Sequence, residues 1–274
     1  MQSGSAIMTR MKALRSGAAA AALCALLGLA PGAASAQDTP DAKDAKALFK
    51  AMSDYVAGQK AISFSFDSNI EIVTPDLQKL TFASSGTTAV NRPDKIRVTR
   101  TGGFTDVELA YDGQSLGLYG KKLNVFAKLP MTGNLDEVIE TMRAELGLDA
   151  PAADLLSSNP DGVMMANVTD AKDLGSGVIG GVECDHLAFR TPDADWQIWI
   201  TQGDKPRPCR LTITSKMVAL APEHTIEVRD WKDGSDVAAD DFSLKTAAGA
   251  KEVKAGEMRG MGDIPDIASE GDAQ

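Results

Sequence analysis

The sequence predicts a mainly β fold of the α+β class, a curved antiparallel sheet with helices on its concave face. First, apolar and polar residues alternate with period two through most of the chain beyond residue 60, which is typical of half-buried strands. Second, short turn signals separate these runs, so strands adjacent in sequence should pair. Third, two amphipathic helical stretches need an apolar surface to lie on, and the sheet offers the large one.

The first 36 residues are predicted to be a secretory signal peptide, cleaved after Ala36. An apolar run from Gly17 to Leu29 is short for a membrane span, and Ala34-Ser35-Ala36 offers small residues for cleavage. A retained anchor helix is the alternative, which the polar, acidic segment after Ala36 disfavours. We expect a periplasmic mature protein without a transmembrane segment. The basic residues that precede the apolar run are Arg10, Lys12 and Arg15.

Charge and length limit what the mature protein can bind. The full chain has a formal net charge of -10, and loss of the three basic signal residues makes it -13. This balance argues against nucleic acid or an anionic membrane surface as a partner. About 238 residues remain, enough for one large β domain. We expect a single domain over residues 37–255 and a disordered tail, rich in Gly, Asp and Ser, over residues 256–274.

The first half of this domain should be a helix followed by a strand meander. The spacing of apolar residues predicts an amphipathic helix over Asp41 to Gln59, preceded by Thr39 and Pro40 as cap and first turn. From Ile62 to Ile72 the period changes to two, with Ile62, Phe64, Phe66, Ile70 and Ile72 on one face. Further strands are expected near Leu80–Val90, Ile96–Thr101, Phe104–Tyr111, Ser115–Tyr119 and Leu123–Ala127.

A helical insertion is expected between Asn134 and Ala166. Asn134 and Glu137 form a capping-box pattern, and Gly147 is placed to end the first helix. Pro151 can begin a second, short helix. The apolar stripe of the first helix contains Leu135, Val138, Ile139, Met142 and Leu146.

A second meander follows the insertion and contains most of the Cys, His and Trp residues of the mature chain, the residue types most often involved in chemistry. Pairing Arg190 with Asp195 across the first turn sets its register and puts His186, Trp199 and Arg210 in one cross-strand row. We interpret the row as an outward-facing surface with an Arg–Trp contact rather than as a general base. Its reverse, buried side contains Leu187, Phe189, Trp196, Ile198, Ile200, Leu211 and Ile213. The strands are expected over Val182–Arg190, Asp195–Thr201, Arg207–Thr214, Thr225–Trp231 and Phe242–Thr246.

The two cysteines of the mature chain leave two possibilities open. An oxidising compartment makes a Cys184–Cys209 disulfide the default. The predicted register opposes it: if Thr201 faces Pro208, the cysteines point to opposite faces with a whole strand between them, beyond the roughly 7 Å Cα limit. Pro206 and Pro208 weaken that objection, because neither can donate to a strand ladder and the third strand can begin late.

Catalytic and cofactor motifs are weak. Residues 175–180 match the GxGxxG spacing of dinucleotide-binding loops, but a strand pattern follows where a helix is needed. His186 and His224 are the only imidazoles, without zinc or calcium spacing around them. We therefore expect no catalytic residue, no metal, no cofactor and no enzymatic activity. A hydrolase of envelope lipids or glycans would need an acidic or nucleophilic pair within hydrogen-bond reach, which the sequence does not indicate.

A set of short segments between Ala45 and Val253 resembles a family of predicted periplasmic proteins, the domain of unknown function 2092. The segments DHLAF, from Asp185, and DWQIWI, from Asp195, are the most specific; Cys209 departs from the pattern, where a basic residue is expected. The remaining segments are Tyr111-Asp112-Gly113, Leu146-Gly147, Asp154-Leu155-Leu156, Pro208-Cys209-Arg210-Leu211, Asp241-Phe242 and Gly249-Ala250.

That family is similar, more distantly, to the LolA/LolB lipoprotein carriers. The resemblance implies a half-open β-barrel whose helices plug a hydrophobic cavity. It implies carrier function more weakly, because fold does not determine function.

We therefore expect a non-enzymatic carrier or binding protein that holds a lipid, an acyl chain or another hydrophobic group between sheet and helices. The alternative is an envelope protein–protein interaction or sensing module whose apolar side chains fill a dry core. The residues expected to line the cavity are Phe64, Phe66, Ile70, Phe82, Leu187, Phe189, Trp196, Ile198, Ile200, Leu211, Ile213, Met142 and Leu146.

Overall fold

A computed structural model describes residues 40–148 and 151–258. The predicted signal peptide, Thr39 of the predicted cap and the part of the predicted tail after Met258 lie outside the described residues.

The described strands form one curved sheet of 12 strands. Six strands of the first half are β1 Ala61–Val73, β2 Lys79–Asn91, β3 Lys95–Gly102, β4 Asp106–Tyr111, β5 Ser115–Gly120 and β6 Val125–Pro130. Six of the second half are β7 Asp170–Ile179, β8 Val182–Arg190, β9 Ala194–Thr201, β10 Pro208–Ser215, β11 Glu223–Asp233 and β12 Lys251–Glu252. The predicted mainly β class is confirmed.

The chain builds this sheet outward from its middle. Strands β1 to β6 run from the centre to one edge, and a helical stretch then leads to β7 at the other edge. Strands β8 to β11 return toward the centre, where β11 pairs with β1. The sheet is antiparallel as expected except at one edge, where β12 pairs in parallel with β6.

Six helical segments of the described residues accompany the sheet: α1 Pro40–Gly58, α2 Leu135–Leu146, α3 Pro160–Met164, and the 3-10 turns Pro151–Leu156, Gly234–Asp236 and Ala255–Met258. The predicted capping box of α2 is confirmed: the Asn134 side chain accepts from the backbone of Glu137, and the Glu137 carboxylate accepts from the Asn134 N–H. Gly147 ends α2 in a left-handed conformation with φ of 63°, which a glycine adopts without steric cost. The capping box and the terminal glycine depend only on residues near them in the chain, so the sequence predicts both ends of α2 correctly.

Helix α1 covers the half of the sheet that contains β7, β8 and β9. Its Phe49 is fully buried, and its ring meets Phe189 and Trp196 edge-on at centroid distances of 5.5 and 5.2 Å. Phe189 and Trp196 stack on each other at 4.1 Å. This aromatic cluster closes that half of the core. Helix α2 lies over the other half, above β3 to β5.

Residues 234–250, which we call the crossing segment, pass over the opposite face of the sheet from β11 to β12. Arg97 on β3 binds Glu108 of β4, and its Nε donates to Asp240 Oδ2 at 2.6 Å. Leu244 packs on Gly117, where a Cβ would come within 2.7 Å of the leucine Cδ2. The predicted strand Phe242–Thr246 is therefore wrong. This stretch is extended but held by side chains, and it pairs with no described strand.

The folded part of the chain continues past the predicted boundary at residue 255. Ala255–Met258 is a 3-10 turn, and Met258 is fully buried in the main core. A lone methionine gives too weak a signal in a Gly- and Asp-rich stretch to reveal this contact.

The structure contains the Cys184–Cys209 disulfide, with a Cα–Cα distance of 7.1 Å. Arg210 faces Trp199 as predicted, but Pro208 faces Ile200 rather than Thr201. Cys209 is therefore the extra residue of a β-bulge. The predicted register placed the two cysteines on opposite faces of the sheet. The bulge removes this obstacle, because it allows Cys209 to turn toward the face that carries Cys184.

The cross-strand row of His186, Trp199 and Arg210 is confirmed. The His186 ring stacks on Trp199 at a centroid distance of 4.1 Å, and the Arg210 Cζ lies 5.6 Å from the centre of the same indole. The row is half-buried rather than open, because β7 runs alongside it. A Cβ at Gly177 would come within 3.2 Å of the Trp199 Nε1, so this glycine of the GxGxxG pattern makes room for the indole.

Removal of the disulfide should destabilise the mature protein by about 3.5 kcal/mol, the loop-closure value for a sequence separation of 25. Urea unfolding of the double variant Cys184→Ala, Cys209→Ala against the parent measures the difference. Thiol titration of the unfolded, unreduced parent is the control. Two reactive thiols would show that the bond does not form.

Stability that depends on Asp240 should be lost at low pH. The hydrogen bond from Arg97 lowers the pKa of Asp240 from 3.8 to about 2. Because the folded-state pKa is the lower one, the contribution is complete above about pH 4 and disappears as pH falls through about 2. Urea unfolding of Asp240→Asn from pH 7 to pH 2 should show a gap to the parent that closes over this range. Asp236→Asn, exposed on the same segment, is the matched control, and an equal gap there would contradict the assignment.

Candidate functional site

A cavity lies between the concave face of the sheet and the lid formed by α2 and the 3-10 turn Pro151–Leu156. Its volume is about 180 Å³, whereas a single water needs roughly 10–15 Å³ on the same measure. The space is therefore much larger than an ordinary packing defect.

The cavity wall is mostly apolar, and most of its polar side chains lie at one end. Of its 19 lining residues among those described, 15 are apolar. The strands contribute Phe64, Phe66, Ser68, Thr88, Ile96, Val98, Arg100, Val107, Leu109, Leu118, His224 and Ile226, and the lid contributes Leu135, Ile139, Met142, Leu148, Ala152, Ala153 and Leu156.

Strand register determines where each wall residue lies. The deepest row across the sheet joins Ile62, Val90, Ile96 and Tyr111, and all four are buried. Successive rows along β1 then bring Phe64, Phe66 and Ser68 to the same face, because side chains alternate.

The polar end contains two hydrogen-bonded pairs on neighbouring strands. Ser68 Oγ and His224 Nε2 are 2.9 Å apart, and Arg100 Nε donates to Ser84 Oγ at 2.9 Å. Ser68 and Ser84 face each other across β1 and β2. They are only 3% and 5% exposed, so both hydroxyls are withdrawn from solvent.

Aromatic rings surround this polar end. The Arg100 Cζ lies 5.5 Å from the centre of the Phe104 ring, within range of a cation–π contact. Phe82 meets Phe104 edge-on at 5.5 Å. The Ser84 hydroxyl and the Phe104 ring thus help to hold Arg100 in place.

A smaller void of about 40 Å³ lies beside the main cavity, between α1 and β11. Phe64 forms part of both, and it stacks on Trp231 at 5.4 Å. Next to it, Tyr55 donates to Asp233 at 2.7 Å, and burial raises the pKa of Tyr55 to about 12. That hydroxyl therefore stays protonated and serves to hold α1 against the sheet.

The structure divides the residues predicted to line a cavity. Phe64, Phe66 and Met142 line it, and Leu211 lines the smaller void. Ile70 and Phe82 lie half-buried on the same face of β1 and β2, beyond the lining. The members placed in closed core instead are Leu146, Leu187, Phe189, Trp196, Ile198 and Ile200, with Ile213 packed against that core.

The physical reason for this division is α1. The interpretation of the second meander's buried face as a cavity wall assumed one continuous space under the helices. Phe49 fills that space on the β8 and β9 side, so the cavity is confined to the side of α2.

The sequence interpretation missed Ser68, Ser84, Arg100 and His224. Each occupies a position at which the strand alternation would place an inward-facing side chain. A polar residue in the apolar phase of a strand was the available signal. The sequence interpretation instead gave more weight to the stretch with the cysteines and tryptophans, and it therefore overlooked these polar residues.

The Ser68–His224 contact resembles the nucleophile and base that a hydrolase would need. Its surroundings do not suit that chemistry. Ser68 lies in mid-strand and is paired on both sides, with Ser84 and with Ile226, so the ladders occupy the nearby backbone N–H groups that could otherwise stabilise an oxyanion. We interpret the contact as part of a polar binding surface.

Metal and membrane features can be stated for residues 40–148 and 151–258. Within these ranges, no three His, Cys, Asp or Glu side chains are arranged to hold a metal ion. No helix among them has the length and apolar character needed to cross a bilayer.

Comparison with known proteins places these features in context. The family model described as "Predicted periplasmic protein (DUF2092)" matches residues 45–255. No curated protein matches the chain.

Several solved structures have similar backbones at low sequence identity. An uncharacterized conserved protein from Thermus thermophilus has a TM-score of 0.46 and 10% identity, over 77% of this chain and 99% of that one. The Mycobacterium tuberculosis lipoprotein LppX has a TM-score of 0.38 and 12% identity, over 72% and 99%. LprF from Mycobacterium bovis has a TM-score of 0.40 and 12% identity, over 75% and 98%.

The division between closed core and cavity wall can be tested with one substitution at two positions. Phe189→Ala should cost about 3–5 kcal/mol of unfolding free energy, because it empties a packed site. Phe66→Ala should cost less than half as much, because this ring already borders empty space. Urea unfolding at neutral pH measures both, and equal costs would contradict the placement.

Proposed function

The chain belongs to the family of predicted periplasmic proteins whose model spans residues 45–255, and on that premise we propose that it is a non-enzymatic binding or carrier protein. Its ligand is a lipid, an acyl chain or another hydrophobic group held between sheet and helices. The cavity under α2 is the observation that carries this proposal.

The lining of the cavity supports a flexible apolar ligand. Unfilled apolar space costs a protein stability, so a void of about 180 Å³ is more readily understood as a ligand site than as a core. Ala152 and Ala153 in the lid leave room opposite Val98 and Val107 on the sheet. Met142 adds a side chain that adapts its shape to what it contacts.

The proposed compartment is the periplasm, reached through the predicted signal peptide. The family description and the Cys184–Cys209 disulfide support it, because such bonds persist in oxidising compartments.

A second candidate function, protein–protein interaction in the envelope, has one observation in its favour. Strand β7 forms an edge of the sheet, and Leu174 and Val178 on it are 48% and 69% exposed. An edge strand can accept a partner strand. However, β7 is irregular between Asp173 and Ser176, and such bulges protect edges against pairing. We therefore favour the carrier.

Mass spectrometry of an organic extract tests the proposal directly. Protein purified from the periplasm without detergent should contain an extractable lipid, and the emptied protein should take up a fluorescent fatty acid. An extract without lipid, together with no uptake, would contradict the carrier function and leave the interaction module.

Filling the cavity should block uptake. Val98→Trp places an indole in the apolar space, so we expect at least about tenfold weaker binding of the fluorescent fatty acid, the effect of roughly 1.4 kcal/mol. Its unfolding midpoint should change little, since filling a void adds contacts. Val178→Trp, 69% exposed on β7, is the matched control. Unchanged uptake by Val98→Trp would show that the probe binds elsewhere.

A further inference from the structure

We propose that the polar end of the cavity is a head-group subsite for an anion, so that the ligand is a single-chain amphiphile with a carboxylate or phosphate head. The head lies against Arg100 and Ser68, Ser84 positions the Arg100 side chain, and the tail extends toward Ile96. This inference rests on the proposed function, because the tail must occupy the apolar cavity.

Charge is the first argument. Among the described lining residues, Arg100 is the one with a permanent charge, and none is acidic. The whole chain has a formal net charge of -10, so an anion approaching it is repelled over most of the surface. The positive charge of Arg100 in the apolar wall attracts an anion at this one place in the cavity lining. The planar guanidinium also fits carboxylate and phosphate oxygens better than an ammonium group does.

Preorganisation is the second argument. The bond from Nε to Ser84 and the contact with Phe104 fix the guanidinium plane. The residue opposite Arg100 on β2 is Gly86. A Cβ there would come within 2.5 Å of the Phe66 ring, so glycine makes room for that ring on the strand next to Arg100. Arg100 and Phe66 thus border the same space, one polar and one apolar.

Two buried hydroxyls supply the third argument. Ser68 and Ser84 lie opposite each other, and the Ser68 pair with His224 extends the polar surface across β11. Polar groups in an apolar cavity cost desolvation energy. A wholly apolar ligand would leave that cost in place, whereas an anionic head group accepts hydrogen bonds from hydroxyl and guanidinium donors.

The dimensions agree with one acyl chain. From the Ser68 row to the Ile62 row, which includes Ile96, the strand advances six residues, roughly 20 Å at about 3.3 Å per residue. One leaflet of a bilayer, half of a hydrocarbon core of about 30 Å, accommodates a chain of roughly 15 Å. The lining residues on the sheet, from the Ser68 row to the row of Ile96, therefore span a distance that accommodates a single tail.

Competition against a neutral probe tests the subsite. The delipidated mature protein is loaded with 1-aminoanthracene, and displacement is measured with dodecanoate, dodecyl phosphate and dodecanol, which share one tail. The parent should bind at least one of the two anions about tenfold to hundredfold more tightly than the alcohol, the range of a hydrogen bond to a charged group. Which anion binds more tightly identifies the head group. Acetate and inorganic phosphate should not displace the probe, because they lack the tail.

Arg100→Met retains the length of the side chain and removes its charge. It should lose the preference for the anions while it binds dodecanol and the probe like the parent. Arg100→Lys should show an intermediate preference, which keeps the test valid if the methionine variant unfolds. Arg229→Met is the matched control: this arginine pairs with Asp67, and its side chain is 49% exposed.

The possible results separate the two proposals. Equal affinity of the parent for the alcohol and both anions, or an unchanged preference in Arg100→Met, would overturn the head-group subsite and leave the hydrophobic carrier intact. Failure of the parent to take up the probe and all three amphiphiles would overturn the carrier itself. Displacement by acetate or inorganic phosphate alone would show a simple anion site and overturn the amphiphile.

Discussion

The pairing of β1 with β11 is the interaction on which the rest of the structure depends. It joins the first strand of one meander to the last long strand of the other, so that two sheets become one. Along this seam Ser68 faces Ile226, and His224 faces Ile70 in the next row. The cavity wall on either side therefore belongs to segments more than 150 residues apart in the chain. Without the seam, neither the continuous concave face nor the Ser68–His224 contact would exist.

The two halves of this sheet are covered differently, and the difference creates the cavity. On the side of α1, large rings from helix and strands interlock, with Phe49 meeting Phe189 and Trp196. On the side of α2, the lid presents Ala152 and Ala153 to a wall that also has modest side chains. Space remains there because small residues face one another over a curved surface. The crossing segment supports the opposite face of the same strands, so the wall is held from behind.

Local patterns predicted much of this fold. The strand periods, the capping box of α2 and the row of His186, Trp199 and Arg210 depend on neighbours in sequence or on one hairpin register, and each is confirmed. The family resemblance is confirmed as well. Three features could not be read in this way. The β1–β11 pairing is long-range, the bulge at Cys209 depends on how Pro208 begins its strand, and the crossing segment follows from partners such as Arg97.

The candidate site was harder to predict than the fold because residue type alone misleads in a β-sheet protein. The stretch with Trp196 and Trp199, the disulfide and His186 contains the residue types most often found in functional sites. Its side chains instead contact one another, as in the stack of His186 on Trp199. Arg100 lies in a strand that looks ordinary, but it stands where the alternation calls for an apolar side chain. An arginine in that phase costs desolvation energy, and the Ser84 hydroxyl and the Phe104 ring are among the groups that offset it. The phase of a charged residue within its strand is therefore the sequence signal that locates this end of the cavity, whereas its residue type alone does not.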